Sequence, residues 1–329
     1  MVDQDYEDLY QKLKDRVFSL NESVWERRLP DKLLEQWLDN FDGRVASVKE
    51  ERLCALYIVS HFMFFGSKEI RVLLRAMYRD LTLVPIMRSV RDALGDMATW
   101  DLMAEEVRRG LNSTRFLGIG NPSESGVHLL YYFRQENSLG CDMFCDSSLV
   151  IKSEVINGSA SRVHANPDVK RYVFIDDVCG SGDTAVDYSR RYVEDVVGVA
   201  PDVSFEYHCL FATTEGLRNV RRNGKYSKVK TVYELDETYK YTSPDSRYFS
   251  YCPEKVDPGL VKRLVVAYGA ILFPAAPIGF SGGDLLLGFH HNTPDNTLPI
   301  IWAETCHLGV HHEWVPAFKR YPKKSGLLS

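Results

Sequence analysis

Between Arg171 and Asp187 the chain reads RYVFIDDVCGSGDTAVD, and no other stretch constrains the fold as tightly. Arg171 to Ile175 forms an apolar run of strand length, ending in two adjacent acids, Asp176 and Asp177. A Gly-Ser-Gly turn follows, and Thr184 opens a segment with helical spacing. Its inner face is expected to be Ala185, Ser189, Tyr192, Val193 and Val196. A strand followed at once by an amphipathic helix implies a right-handed crossover and a mainly parallel sheet. Each part of the run also has a chemical use. Small residues let backbone N–H groups approach an anion, and a helix start adds donors and the positive end of its dipole. Ser181 and Thr184 offer hydroxyls to the same anion. Two acids at a strand end can accept hydrogen bonds from a sugar diol or hold Mg²⁺. The order is neither that of a Walker A loop, which ends in Gly-Lys-Ser/Thr, nor that of a dinucleotide fingerprint, where glycines precede the acid.

The same grammar extends to either side. Arg115–Ile119, Met143–Cys145, Val203–Phe211 and Val229–Leu235 read as strands, and Val127–Arg134 as a helix. Ligands of such a sheet bind beyond the carboxyl ends of its strands, so the loops after Ile119, Ile175, Phe211 and Leu235 are the places to look. The first third is helical: Tyr6, Leu9, Tyr10, Leu13 and Val17 share one face, as do Leu33, Leu34, Trp37, Leu38 and Phe41. Further helices are expected over Arg52–Phe65 and Glu69–Met97, and one within Pro253–Ala270, with a strand at Leu285–Phe289. Three segments result: a helical region at 1–110, an α/β core at 111–245 and a C-terminal cap or hood at 246–329.

Bulk composition narrows the partners. The 329 residues carry 40 Lys and Arg against 45 Asp and Glu, a net charge of −5. That balance excludes an obligate nucleic-acid coat, which needs an excess of cations, but not a local anion site. Leu53–Ser67 is too short to span a bilayer, and Leu264–Gly283 is broken by Gly269, Pro274, Pro277 and Gly279, so no membrane segment is expected. Seven cysteines, an odd number in a chain large enough to need no staples, and an acidic N-terminus without an apolar stretch point to a reduced, cytoplasmic setting.

The run DDVCGSGDT, with the apolar residues before it, resembles the phosphoribosyl-pyrophosphate (PRPP) signature of type I phosphoribosyltransferases. Gly180 stands where that family often has Thr, and Ser181 where it usually has Thr. The resemblance implies an α/β phosphoribosyltransferase-like fold: a mainly parallel sheet with flanking helices, an N-terminal helical region and a C-terminal α+β cap. It further implies that Asp176 and Asp177 bracket the ribose hydroxyls and meet Mg²⁺ indirectly or through the substrate. Val178, Cys179, Gly180, Ser181, Gly182, Asp183 and Thr184 would wrap the 5′-phosphate. The loop after the first core strand, Gly120, Asn121, Pro122, Ser123, Glu124 and Ser125, would hold pyrophosphate, although a carboxylate at Glu124 repels that anion unless Mg²⁺ intervenes. Asp146–Lys170 corresponds to a mobile lid with Lys152, Arg162, His164 and Lys170 as its cations. Leu235–Tyr239 and Thr213, Thr214 and Glu215 lie where the family contacts the incoming base.

A narrower resemblance adds the ends of the chain. Trp37–Phe41 and the stretch GFSGGDLLLGFHHNTPDNTLPIIW (279–302) are similar to segments of phosphoribosyltransferase-like proteins of bacterial conflict and defence systems. Other features carry less. Cys141 and Cys145 lack a partner pair for zinc and read as strand core. Cys306, His307, His311 and His312 read as a surface cluster, His290 and His291 flank the Asn-Thr-Pro segment, and the six cations of Arg218–Lys230 read as a solvated helix end and loop. The expected function is transfer of phosphoribose from PRPP to a nitrogen nucleophile with Mg²⁺ and release of pyrophosphate. The alternatives are a non-catalytic PRPP- or nucleotide-sensing regulator, and a defence effector restrained by a regulatory protein or nucleic-acid partner; a homo-oligomer fits any of these.

Overall fold

A computed structural model describes residues 2–120, 125–156, 159–304 and 313–321. In chain order the main elements begin with α1 (Val2–Ser23), α2 (Asp31–Leu38), α3 (Val48–Val59), β1 (Met63–Phe65), α4 (Ser67–Ala76), α5 (Val84–Leu94) and α6 (Trp100–Asn112). The core follows as β2 (Thr114–Gly118), α7 (Ser125–Glu136), β3 (Ile151–Ile156), β4 (Ser159–His164), β5 (Arg171–Cys179), α8 (Asp183–Val197), β6 (Ser204–Thr213), α9 (Thr214–Asn223) and β7 (Lys228–Leu235). α10 (Pro258–Leu272), β8 (Leu287–Phe289) and the single turn α11 (Pro299–Trp302) complete the chain. Among the described residues no helix is long and apolar enough to cross a membrane.

The chain divides into two compact units rather than the three consecutive segments expected from sequence: residues 1–69 with 236–329, and residues 70–235. The physical reason lies in packing at the termini. In the first unit Trp37 donates to the Ile300 carbonyl at 2.8 Å. The Asn40 side chain bonds the backbone of Val315 in both directions, at 2.9 and 3.1 Å. Trp37, Phe41, Tyr268 and Trp314 form an aromatic chain with centroids 5.1–5.6 Å apart. The chain ends therefore share one hydrophobic core with α3 and α10. A buried Glu51 organises the adjoining loop, accepting from the N–H groups of Gly43, Val45 and Ala46 and from the Tyr268 hydroxyl. Phe62–Phe65, expected within a helix, instead leads into β1, which pairs in parallel with β8.

In the second unit β2, β5, β6 and β7 form a four-stranded parallel sheet in the order β2-β5-β6-β7. β5 and β6 are buried along nearly their whole length, as a parallel sheet with both faces covered requires. The helix expected over Glu69–Met97 is interrupted by a π-helical stretch, Met77–Leu83, ahead of α5. Pro85 lacks an N–H, so the Leu81 carbonyl loses its ordinary helical donor; Lys230 supplies one instead, at 2.6 Å. Met143–Cys145 is not a strand. Cys141–Met143 is a 3₁₀ turn with Cys141 exposed, and Phe144 alone bridges to Phe116, its ring packing on Phe116 and Phe133. The connection expected as a loop after Cys145 contains an antiparallel hairpin, β3–β4.

Candidate functional site

β5 is four residues longer than the sequence suggests, and it carries Asp176 and Asp177 inside the strand instead of on the loop beyond it. The acids are 8% and 7% exposed. They are therefore buried groups, not the exposed strand-end groups expected. Asp176 accepts a hydrogen bond from the Tyr207 hydroxyl at 2.8 Å. Each acid also takes the backbone N–H that follows it, Asp177 N to Asp176 Oδ1 at 3.0 Å and Val178 N to Asp177 Oδ1 at 2.9 Å. Burial, and secondarily the charge of Asp177, hold the Asp176 carboxyl well above the ordinary carboxylate range. Cys179 ends the strand with its side chain buried, and burial pushes its thiol up to about 12, so it is no nucleophile.

From Gly180 the backbone turns through Gly182, whose φ of +81° falls in the left-handed region, into the first turn of α8. The leading N–H groups of a helix have no backbone partner within it; here that of Asp183 meets the Ser181 hydroxyl at 3.3 Å. Ser181 donates to Asp183 Oδ2 at 2.8 Å, and Thr184 is exposed at the helix start. A Cβ on Gly182 would meet the Gly216 carbonyl at 2.7 Å and Val220 at 2.8 Å. It would point into α9, not at an anion in the cradle as expected from sequence. The reason Gly is needed here is thus the fit of α9 against the loop.

That fit involves Thr213, read from sequence in another role, and Asn219, which sequence reasoning missed. Thr213, expected near the base, caps α9 through Gly216 N at 2.8 Å and donates to the Gly180 carbonyl at 2.6 Å. Asn219, one turn into α9, donates to the Ser181 carbonyl at 2.8 Å and to Asp183 Oδ1 at 2.9 Å. A Cβ on Gly216 would collide with the Gly180 carbonyl oxygen. A Thr followed three residues later by Gly, at the end of a strand, was the available signal.

The loop after β2 lies at the same sheet edge. β2 pairs with β5 in register, Gly118 opposite Ile175, and Ile119 N continues the ladder to the Ile175 carbonyl. Gly120 has φ +97°, a conformation that favours glycine. Asn121, Pro122, Ser123 and Glu124 lie outside the described residues, and of Ser125 only its place at the start of α7 is described. Cys306, His307, His311 and His312 also lie outside them. The lid cations point elsewhere: Arg162 pairs with Asp195 at 2.9 Å, Lys152 with Glu154 at 2.7 Å, and His164 meets the Tyr172 hydroxyl at 2.8 Å. Asp195 is twelve residues past Asp183, about 18 Å along α8. Arg162 thus engages the far end of that helix, and with Lys152 it flanks a cavity of about 390 Å³ beside Arg191. His291 stacks on Phe289 beside a second cavity, about 310 Å³, in the other unit. Among the described residues no cluster of three or more His, Cys, Asp or Glu is arranged to hold a metal.

A parallel sheet with an acid pair inside a central strand, followed by a left-handed glycine and a helix start, defines a phosphoribosyltransferase-like α/β protein. The chain belongs to the PRTase-CE family, whose family model matches residues 34–320. Solved structures with some likeness include the xanthine-guanine-hypoxanthine phosphoribosyltransferase of Helicobacter pylori, at 10% identity over 54% of this chain and 92% of that one, TM-score 0.27. The AQ2163 protein of Aquifex aeolicus matches at 14% over 63% and 86%, TM-score 0.27. The Trypanosoma cruzi hypoxanthine phosphoribosyltransferase, K68R mutant, complexed with IMP matches at 12% over 54% and 78%, TM-score 0.26. At such scores the family match carries the assignment. No curated protein matches the chain.

Two outcomes follow from the geometry. Gly216→Ala should cost about 1–3 kcal/mol, because the loop or α9 must shift to admit the methyl group; an unchanged midpoint of urea unfolding would show that the close approach costs nothing to relax. Asp176 binds its proton more tightly in the native chain than in the unfolded one. Its contribution to stability therefore falls as pH rises from the ordinary carboxylate range towards its raised value. Asp176→Asn removes that slope. The variant's stability relative to wild type should grow by up to about 1.4 kcal/mol per pH unit across that window, and parallel curves between about pH 4 and pH 8 would contradict the assignment.

Proposed function

We propose that the chain binds PRPP, or a nucleotide 5′-phosphate, at the carboxyl edge of its four-stranded sheet and transfers phosphoribose to a nitrogen nucleophile. The observation that carries this reading is the continuity of β5, acid pair, left-handed Gly182 and the start of α8. In it the backbone of Gly180–Thr184 and the Thr184 hydroxyl hold the 5′-phosphate, as helix N-termini hold anions elsewhere. Asp176 and Asp177 face the ribose, accepting from its hydroxyls and stabilising positive charge that develops at C1 as pyrophosphate departs. Gly120 opens the pyrophosphate loop, which runs on through Asn121, Pro122, Ser123, Glu124 and Ser125.

The acid pair suits Mg²⁺ only as a partner already held by substrate. Two carboxylates, one of them engaged by Tyr207, are too few for a protein-held site, and Mg²⁺ ordinarily keeps waters and substrate phosphates as ligands. When bound, the ion would neutralise charge on the leaving pyrophosphate. Ionised Asp176 is the stronger acceptor for a diol and the form that meets Mg²⁺, so ligand binding should favour release of its proton.

PRPP with Mg²⁺, or a nucleoside 5′-monophosphate, should raise the melting temperature of the wild-type chain. Thr184→Val should weaken that binding by about 1.5–3 kcal/mol by calorimetry while leaving the fold intact. Asp176→Asn combined with Asp177→Asn should abolish transfer without unfolding the chain. Equal affinity in the folded Thr184→Val protein would remove the cradle from this reading. A finer role, as a cytoplasmic defence effector restrained by a partner, draws support from the latching of Trp37–Asn40 onto the C-terminal segment, since both motifs resemble that branch. Expression alone should then arrest bacterial growth, and the double Asn variant should not; equal growth of both strains argues against the effector role.

A further inference from the structure

A second polar site lies at the opposite edge of the same sheet. Arg171, Glu206 and Lys228 stand at the amino ends of β5, β6 and β7, with Lys230 two residues further on. Glu206 is 3% exposed. Arg171 and Lys230 reach its carboxylate at 3.2 and 3.0 Å, His208 at 3.1 Å and Lys228 at 3.6 Å. Burial lowers the His208 pKa, which keeps that ring neutral. Arg171, Lys228 and Lys230 thus surround one carboxylate, and burial pulls the Lys230 pKa down. With all three charged they leave an excess of two positive charges where a single cation would balance the buried acid.

The surplus faces an opening. Arg171, Glu206, Lys228 and Lys230 line a cavity of about 40 Å³ with Thr82 and Ser89, which the π-helical stretch and α5 contribute. About 10–15 Å³ holds one water, so the space admits roughly three oxygen-sized atoms, room for the inner part of an oxyanion whose outermost oxygen stays at the mouth. Thr82 is 3% exposed, and its hydroxyl has no hydrogen-bond partner. An orphaned buried hydroxyl is costly, and in a polar cavity it marks a place where a ligand oxygen is accepted. The π-helical stretch puts it there, and Pro85, just beyond that stretch, leaves the Leu81 carbonyl for Lys230 and so fixes that ammonium at the cavity wall.

We propose that this cavity is a binding site for a single phosphate group, held by Arg171, Lys228 and Lys230 with hydroxyl donation from Thr82 and Ser89. A tetrahedral oxyanion offers several acceptors to converging donors, and it cancels the charge that Glu206 leaves over. The half-exposed Lys228 stands at the mouth, so a monoester can present its phosphate there with its remaining part outside. The site is separate from the Gly180–Thr184 loop: Arg171 and Asp176 are five residues apart on one strand, about 17 Å.

Titration of the Thr184→Val protein with inorganic phosphate, at constant ionic strength with chloride as reference, tests the site while the loop's own phosphate binding is weakened. Phosphate should bind and raise the melting temperature. Adding Lys228→Gln should lower that affinity at least tenfold, and adding Thr82→Val several-fold. Thr82→Val should not lower the melting temperature of the unliganded chain, because the hydroxyl it removes has no partner. Methyl phosphate in place of phosphate separates the sources: comparable binding marks a site for phosphomonoesters, and loss of binding marks one for the free ion. Absence of phosphate binding in the Thr184→Val background, or affinity indifferent to both Lys228→Gln and Thr82→Val, overturns the proposal. Neither result depends on whether PRPP binds at the loop.

Discussion

The contact between α9 and the Gly180–Gly182 turn is the constraint on which the candidate site depends. Two backbones meet there with no side chain between them: a Cβ on Gly182 would strike Gly216, and a Cβ on Gly216 would strike Gly180. Such an approach exposes carbonyls that need donors, and Thr213 and Asn219 provide them to Gly180 and Ser181. With its carbonyls tied back towards α9, the turn leads straight into α8, whose first N–H, on Asp183, meets the Ser181 hydroxyl at 3.3 Å. The same contact places α8 and α9 side by side on one face of the sheet. The shape of the candidate loop and the packing of the helices are therefore one feature of this structure rather than two.

The acid pair works in the opposite sense. Asp176 lies against Tyr207 within a hydrophobic cluster, beside a second carboxylate, and neither burial nor that neighbour favours its ionised form. Buried like charges are costly unless something offsets them. Tyr207 and the two following N–H groups offset part of the cost, and a ligand diol or cation would offset more. Strain of this kind at a strand end beside an anion cradle is what a site that trades stability for chemistry looks like. Glu206, in the same sheet, illustrates the contrast: four basic side chains surround it, and His208 and Lys230 hold its carboxyl down at about 2 despite burial.

Much of the sheet was legible because a parallel strand buried on both faces writes itself as a largely apolar run, as β5 and β6 do; β7, an edge strand with its residues mostly part-exposed, shows the pattern only weakly. The extension of β5 through Cys179 was not legible, since two acids look like the end of a strand until Tyr207 and the strand's neighbours are known to receive them. Thr213 and Asn219 were hidden for a related reason. They serve a loop more than thirty residues earlier in sequence, and no local pattern announces a hydrogen bond of that span. Phe62–Phe65 misled because a short apolar run fits helix and strand equally, and only pairing with β8 decides between them.

The terminal motifs explain why the N- and C-terminal segments fold as one unit. Asn292 accepts from the backbone N–H of Tyr321 at 2.8 Å and donates to its carbonyl at 3.3 Å. Arg320 bonds the Thr293 carbonyl and Asp295 at 2.9 Å each and lies over the Trp302 ring. Thr297 bridges both backbone groups of Leu287, and Trp302 returns a bond to the Thr297 carbonyl. The Asn-Thr-Pro to Trp stretch thus acts as a clasp on the last described segment, while Trp37 and Asn40 grip α11 and Val315 from the N-terminal side. Residues so fully spent on holding backbone are poorly placed to bind a ligand as well. The chemistry of the molecule is accordingly better sought in the sheet unit, at its two edges, than in the motifs that make its termini recognisable.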